Sequence, residues 1–383
     1  MNILFLAHPG SVHDLSWMTS LASRSGIRCF CVARKADKRF LKPGFISDLG
    51  EKKITFCGFI PDFSIVRPWQ TIKGFSILSK VINKHQIDLF HILYAEPNAL
   101  WVWRKKSLGI PVVITTRGSD ILITIQNTFK SGSVLNNILK KLYTSAFLNA
   151  DFITCTSRLQ MEMISRLTKR NDKMELIRTG VDIESIRFAD KNKMPDILKN
   201  KKYIFFPRNM RPVYNHEFAL EAISKLPDSL KKEYAFVFLD SDSTNREYVG
   251  KIKNKLSHLK DFYFIFLPSL TKEEVFALYT KAAMVVMTPM SDGSPVSAME
   301  AMASRCPVVM PDLNYDNVLF NPETVFFYKK NDVSSLVNSI MNILDDKITT
   351  KTITANAYKT ILENGDIEKE MKRFQDIITK LKT

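Results

Sequence analysis

The sequence predicts an α/β protein made of two doubly wound, Rossmann-like domains facing across a cleft. Three observations carry this expectation. A chain of 383 residues is too long for one ordinary domain and suits two. From the second residue onward, short β-branched and aromatic runs alternate with stretches that repeat apolar residues every three or four positions. The alternation pauses once, across the polar and lysine-rich residues Asp182 to Asn200, and restarts at Lys202.

In the first series, Asn2–Ala7, Ile27–Ala33, Ile54–Phe59, Asp88–Leu93, Val112–Thr116 and Phe152–Thr156 read as strands. They lack clean alternation, as expected of strands covered on both faces in a parallel sheet. The stretches between them read as helices, with Phe75, Leu78 and Ile82 marking one apolar face. Asp182 to Asn200 reads as a linker. In the second series, Tyr203–Pro207, Tyr234–Asp240, Phe262–Leu267, Ala283–Thr288, Pro307–Met310 and Thr324–Tyr328 read as strands, and Glu217–Lys225, Lys272–Lys281 and Val333–Leu344 as helices. The expected domains are residues 1–195 and 196–365. The last helices, Thr352 to Lys382, carry no strand, and residues 366–383 are placed to cross back to the first domain. Ligands are expected at the carboxyl ends of the strands and in the cleft.

A hydrophobic content of 45% is that of well-formed cores rather than of a disordered chain. The five cysteines form no CxxC pair and their number is odd, which points to buried free thiols in a reducing compartment. Met1 to Ala7 lacks the basic flank of a signal peptide and ends at His8-Pro9-Gly10. No apolar run approaches the length of a membrane span. The expected location is the cytoplasm, peripheral at the inner face of the membrane. Charge is uneven: residues 1–195 hold 29 Lys and Arg against 15 Asp and Glu, and the rest hold 26 against 24. The first half therefore suits an anionic partner. The candidate contacts are Arg34-Lys35, Lys38-Arg39, Lys42, Arg104-Lys105-Lys106 and Lys140-Lys141.

The most informative stretch is Pro289 to Val309. A helix starting near Pro295 would be apolar almost all round, yet it contains Glu300, and an ionised carboxylate there is costly unless hydrogen-bonded. Before it lies the turn Ser291-Asp292-Gly293-Ser294-Pro295 at a strand-to-helix junction. Gly293 permits close backbone approach and Pro295 suits a first helical turn. A diphosphate would sit on the helix N-terminus. Glu300, about two turns on, would then meet ribose hydroxyls, since a carboxylate can accept two of them. The alternative is a helix glutamate paired with Arg305.

These residues, Asp292-Gly293-Ser294-Pro295, Glu300-Ala301-Met302-Ala303 and Pro307-Val308-Val309, resemble the E-x7-E signature of glycosyltransferase family 4. The family comprises retaining enzymes of the GT-B fold with nucleotide-sugar donors. Leu176-Ile177-Arg178-Thr179-Gly180-Val181-Asp182 resembles the segment that closes the family's N-terminal domain. Leu267 to Tyr279, with Ser269 and Glu274, resembles the segment against which the base packs. The resemblance implies that Glu300 binds the ribose and that Asp292 contacts the donor sugar. A full family match would carry glutamate at the first position; aspartate keeps the charge and shortens the reach.

Phe206-Pro207-Arg208-Asn209-Met210-Arg211-Pro212-Val213-Tyr214-Asn215 resembles the family's diphosphate site. Arg208 matches its arginine. Tyr214-Asn215 stands where the lysine usually is, as in relatives with a P-x-Y-N ending. Arg211 is the candidate second cation, the alternative being a solvent-exposed loop residue. Arg117-Gly118-Ser119-Asp120 follows a first-domain strand where relatives carry histidine. Arg117 is a candidate to bind an acidic sugar, or else to touch the phosphates or stabilise the turn, and Asp120 joins the donor site. Gly10, in His8-Pro9-Gly10-Ser11, occupies the place of the family's glycine-rich loop beneath the phosphates and acceptor, which makes it a donor-site candidate. His13 and Asp14 are acceptor candidates, with a surface histidine and a helix-capping aspartate as the alternatives.

The expected activity is retaining transfer from a nucleotide sugar, with UDP the commonest family nucleotide, to a saccharide acceptor held on a lipid at an anionic membrane. Arg208, Arg211 and backbone N–H groups near Gly293 would stabilise the departing diphosphate, and the acceptor would attack from the same face. No cofactor or metal is expected; Asp240-Ser241-Asp242 fits the letters of a DxD motif but lies in the second half. Two rivals are a sugar-nucleotide epimerase of the same fold and a basic nucleic-acid-binding protein. The latter leaves Glu300 unexplained, and the basic segments lack interleaved aromatics, so no nucleic-acid partner is expected.

Overall fold

The computed structural model describes residues 1–130, 132–240, 245–256 and 262–382. Of the Asp240-Ser241-Asp242 triplet, Ser241 and Asp242 lie outside the described residues. Two compact units emerge: Met1–Thr179 with Ile367–Thr383, and Gly180–Asp366.

The first unit holds strands β1 (Asn2–Leu6), β2 (Arg28–Arg34), β3 (Ile54–Ile60), β4 (Leu89–Leu93), β5 (Val112–Thr116), β6 (Phe152–Cys155) and β7 (Met174–Leu176). They form a sheet in the order β3-β2-β1-β4-β5-β6-β7, paired in parallel from Ile3 opposite Cys29 and Leu89 outward. The central strands β1, β4 and β5 are buried along their whole length, which is why they read as unbroken apolar runs. The edge strand β7 was not expected. At three residues, Met-Glu-Leu, each half-buried, it is too short to show a period.

The second unit holds β8 (Lys202–Asn209), β9 (Tyr234–Leu239), β10 (Tyr263–Leu267), β11 (Met284–Val286), β12 (Val308–Pro311) and β13 (Phe326–Tyr328). Their order is β10-β9-β8-β11-β12-β13, again in parallel pairs. Each sheet reverses its winding once, between β1 and β4 in the first and between β8 and β11 in the second. In doubly wound sheets such a switch point opens a crevice at the carboxyl ends of the strands.

The unit boundary falls at Thr179/Gly180, not at residue 195. The stretch expected to be a linker is folded into the second unit: Val181, Ile183, Ile186, Met194 and Leu198 are buried in one cluster with Tyr203 and Phe205 of β8. Sparse apolar residues among lysines conceal this in the sequence. Gly180 adopts φ +67°, a left-handed conformation that favours glycine. Val181 then donates to the Gly365 carbonyl at 2.8 Å, so the two points where the chain passes between units are stitched together.

The helix Ile367–Lys382 belongs to the first unit. It buries Met371, Phe374 and Ile378 in a cluster with Trp17, Met18 and Leu21 of the helix Val12–Ala22. Phe374 stacks on His91 of β4 at 4.8 Å. The Glu370 carboxylate accepts from the Arg178 N–H at 2.9 Å, tying this helix to the segment that leaves the unit. All five cysteines are free, and four of them are buried. Burial pushes the Cys29 and Cys155 thiols up to about 12, so neither is a ready nucleophile. Among the described residues, no helix is long and apolar enough to cross a membrane.

Candidate active site

In the second unit the switch point is built from the segments after β8 and β11. Arg208 lies at the end of β8, and its carbonyl is 3.1 Å from Nε2 of the buried His216. Burial lowers the His216 imidazole to about 4, so near neutral pH it is uncharged and Nε2–H donates to that carbonyl. The loop after β8 is laced to the loop after β11: Thr288 Oγ1 donates to the Tyr214 carbonyl at 2.8 Å, and the Met290 N–H donates to the Val213 carbonyl at 2.8 Å. These bonds bring the two candidate motifs side by side.

The Arg208 guanidinium donates to the Asp292 carboxylate and sits 4.9 Å over the Tyr214 ring. Burial opposes its charge, but Asp292, together with Tyr214 and Tyr279, more than offsets that and holds the guanidinium protonated. The other Asp292 oxygen accepts from the Ser294 N–H at 3.2 Å, which fixes the turn through Gly293. The helix Val296–Ala303 starts one residue later than expected, with Pro295 as its N-cap. Its first backbone N–H groups have no partner within the helix, leaving donors at the turn that carries Asp292.

Glu300 is half-buried on this helix, and the Tyr279 hydroxyl donates to it at 3.2 Å. Burial raises its carboxyl to about 7, against the opposing pull of Tyr279, Lys272 and Arg208. Arg305 does not pair with it. That guanidinium lies 4.0 Å over the Tyr358 ring, and Arg305 itself terminates the helix with φ +57°. Glu300 is thus a carboxylate under desolvation strain with, among the described residues, a single hydroxyl donor, and it is close enough to Arg208 to feel its charge. Such a group gains from two more hydroxyl donors. Ser269 is exposed after β10. Glu274 is occupied by a capping box, accepting from the Thr271 N–H at 2.7 Å. Arg211 is exposed and opens the turn Pro212–Tyr214.

Three residues to which the sequence assigned no role of their own complete this cluster. Tyr279 binds Glu300, Tyr214 underlies Arg208, and His216 holds the end of β8. Buried Tyr279 reads as core at helical spacing, while half-buried Tyr214 and buried His216 lie in and just after a turn, so only their tertiary partners reveal these roles.

In the first unit the switch-point loops hold the remaining candidates, and here the geometry is structural. Asp120 is fully buried. Its carboxylate accepts from the backbone N–H groups of Ala95 at 2.7 Å, Gly118 at 2.8 Å, Ile121 at 2.9 Å and Arg117 at 3.1 Å. It clamps the loop after β4 to the loop after β5 and has no oxygen left for a donor. Arg117 is likewise inside: its guanidinium lies 4.6 Å over the Trp17 ring and 3.7 Å from Asp14. Burial lowers the arginine and raises the aspartate, and their mutual attraction only partly offsets this. Of the alternatives for Arg117, stabilising the turn is the one this geometry favours.

Asp14 is also a loop anchor. It is buried and accepts from the His8 N–H at 3.0 Å, while Ser11 is the N-cap of the helix. His13 and Gly10 are exposed beside it. At Gly10 an added Cβ would lie 3.0 Å from His8 Cε1 and 3.1 Å from Leu41, so the tight loop leaves little room for a side chain. Of the first unit's candidates, His13 and Gly10 reach solvent, Asp14 and Arg117 brace their loop, and Asp120 fixes the turn that carries Arg117.

Residues 18–185 match Glycosyltransferase Family 4 and residues 188–360 match Glycosyl transferases group 1. The chain is 22% identical over 330 residues to the UDP-Gal:alpha-D-GlcNAc-diphosphoundecaprenol alpha-1,3-galactosyltransferase of Escherichia coli, covering 80% of this chain and 79% of that one. Among solved structures, a glycosyltransferase from Rickettsia africae superposes with a TM-score of 0.80 at 16% identity, covering 99% of this chain and 98% of that one. The Anabaena protein HepE, solved with UDP, gives 0.76 at 15% identity, with 99% of each chain covered. Two parallel doubly wound sheets, matches that span both units and these structural neighbours lead to one conclusion: the chain is a glycosyltransferase of the GT-B fold and belongs to glycosyltransferase family 4.

Proposed function

We propose that this enzyme moves a sugar from a UDP-sugar, with retention of anomeric configuration and without a divalent cation, to a lipid-linked saccharide at the inner face of the cell membrane. The product would feed a surface polysaccharide such as a capsule or lipopolysaccharide. The observation that carries the reading is the cluster of Arg208, Asp292 and Glu300 at the switch point of the second sheet. Glu300 would take the ribose hydroxyls. Arg208, with Arg211 at the rim and the N–H groups at the start of the Val296–Ala303 helix, would meet the diphosphate. Asp292, held by Arg208 and Ser294, would face the donor sugar, with Gly293, Ser294 and Pro295 shaping the turn and Ser269 near the base. The first unit would hold the acceptor near His13, whose loop Asp14 anchors, with Gly10 beneath the phosphates.

Cations and helix N–H groups aimed at a leaving diphosphate supply the charge stabilisation that a metal would otherwise give, which supports metal-independent transfer. UDP and the lipid-linked acceptor follow the names of the relatives: the Escherichia coli enzyme is named for UDP-galactose and a diphosphoundecaprenol acceptor, and HepE was solved with UDP.

The test is a thermal-shift panel of UDP, GDP, ADP and CMP, followed by transfer assays in chelator with NMR of the product anomer. Stabilisation by UDP that disappears in Glu300→Ala, and an α-linked product from an α-linked donor, support the proposal. Conversion of the free nucleotide sugar without acceptor would mean an epimerase instead. An inverted product, or complete loss of turnover in chelator, would overturn the mechanism.

A further inference from the structure

All of the chain's net charge resides in one unit. Met1–Thr179 with Ile367–Thr383 holds 31 Lys and Arg against 15 Asp and Glu, while Gly180–Asp366 holds 24 against 24. Within the basic unit the acids avoid one layer. The helices Pro68–His85 and Val134–Asn149 and the segment Ala99–Ser107 cover the same face of the sheet, where Phe75, Trp101, Tyr143 and Phe147 share one buried cluster. Between Glu96 and Asp151 the single acid is Asp120, which is buried and engaged by backbone N–H groups. Between Asp62 and Asp88 there is none. The outside of this layer therefore presents cations almost unopposed; Arg67, Lys73, Arg104, Lys106, Lys140 and Lys141 are all exposed.

The same surface carries aromatic and branched side chains that the core does not take in. Two of the four tryptophans are internal, Trp17 at 1% and Trp101 at 0% exposure, whereas Trp69 is 63% and Trp103 52% exposed. Trp103 packs edge-on at 6.4 Å from both Phe63 and Phe75. Ile72, 56% exposed, lies one turn before Phe75, and Trp69 one turn before Ile72, so the three follow one stripe of the helix. Val66 precedes them at 73% exposure. The close seating that aligns these elements depends on Gly74, where a Cβ would fall 2.1 Å from the Trp101 ring.

A patch of this composition is costly in water and unusual on a monomer. Trp69 and Trp103 lie among Arg67, Lys73, Arg104 and Lys106, so the expectation that the basic segments lack interleaved aromatics does not hold for this face; cations alone would suit any polyanion. Tryptophan beside lysine and arginine suits a bilayer interface, where indole rings sit at headgroup depth and basic side chains meet lipid phosphates. We propose that this face docks on an anionic lipid bilayer, with Trp69 and Trp103 inserted at headgroup level and Arg67, Lys73, Arg104 and Lys106 on the phosphates. Its purpose rests on the lipid-linked acceptor proposed above; its physical basis does not.

The test mixes the full chain with vesicles of phosphatidylcholine alone and of phosphatidylcholine with phosphatidylglycerol, followed by sedimentation and tryptophan emission. Binding is expected to the anionic vesicles, with a blue shift from the two exposed indoles. Trp69→Ala/Trp103→Ala should weaken partitioning by about tenfold or more; the double variant should still unfold cooperatively, with a melting temperature lowered only by the loss of Trp103's contacts to Phe63 and Phe75, and Trp69→Ala alone should melt with wild type. Absence of vesicle binding, binding to a DNA duplex in its place, or undiminished partitioning of the double variant would each overturn the proposal. No sugar nucleotide enters this assay. Failure of the transferase chemistry with vesicle binding intact would therefore sink the proposed function and leave the surface standing.

Discussion

Replacing Glu300 by glutamine should make the protein more stable and a poorer nucleotide binder at once. In the folded chain burial raises this carboxyl from its ordinary 4.5 to about 7. The folded state thus holds the proton more tightly than the unfolded one. Its contribution to stability is complete below pH 4.5 and is lost as pH rises through 7. At pH 8 the ionised side chain costs about 3 kcal/mol, an upper bound because the residue is only half-buried. Glutamine has nearly the same shape, can accept from Tyr279 and carries no charge. The variant should therefore gain up to about 3 kcal/mol at pH 8, or roughly 6–12 °C in melting temperature for a domain of this size, and should gain little at pH 4.5.

Hydrogen bonds to a charged acceptor contribute about 1.5–3 kcal/mol, so the same variant should bind UDP roughly 10- to 100-fold more weakly. Wild-type affinity should itself fall as pH drops below 7, because the proton competes with the ribose. The assay is thermal unfolding at both pH values, with and without UDP. A variant no more stable than wild type at pH 8, and equally stabilised by UDP, would refute the reasoning.

Arg208→Ala should lower kcat by about 100-fold or more, the scale for losing one preorganised donor to a developing charge, and steady-state transfer assays would show it. Asp292→Asn leaves Arg208 without its anionic partner, so a larger effect on donor turnover than on UDP binding is expected from parallel kinetics and calorimetry. His216 is held neutral with its imidazole near 4. Its contribution is present above pH 6.5 and lost as pH falls toward 4, so in a Glu300→Gln background stability should drop across that window, as read by denaturant titration. Phe374→Ala opens a cavity beside His91 and Trp17 and should cost about 3–5 kcal/mol; a melt indistinguishable from wild type would mean the C-terminal helix is not integral to the first unit.

The strand run was readable because buried parallel strands are continuous apolar segments, and β5, Val112–Thr116, was placed to the residue. Glu300 could be singled out because a charge among alanines and methionines calls for an explanation whatever the fold. The edge strand β7 and the folded segment after Gly180 were hidden, one by its brevity and the other by lysines that surround its few buried residues. Among the site candidates, Arg208, Asp292 and Glu300 converge. Arg117, Asp14 and Asp120 turn inward; for Arg117 and Asp14 the sequence leaves turn-stabilising and capping roles open, whereas Asp120 carries only the donor-site expectation.

What the sequence by itself determined, then, was the architecture and the chemistry on offer, since periodicity and an out-of-place charge are local properties of the chain. Only the tertiary structure decided which charges are available to a substrate. Asp120 and Asp292 look alike in sequence, each an aspartate in a glycine- and serine-containing turn after a strand. One is surrounded by four backbone N–H groups and consumed; the other faces an arginine from a different strand. Burial and partners bring together residues far apart in sequence, and they exist only once the sheets have formed.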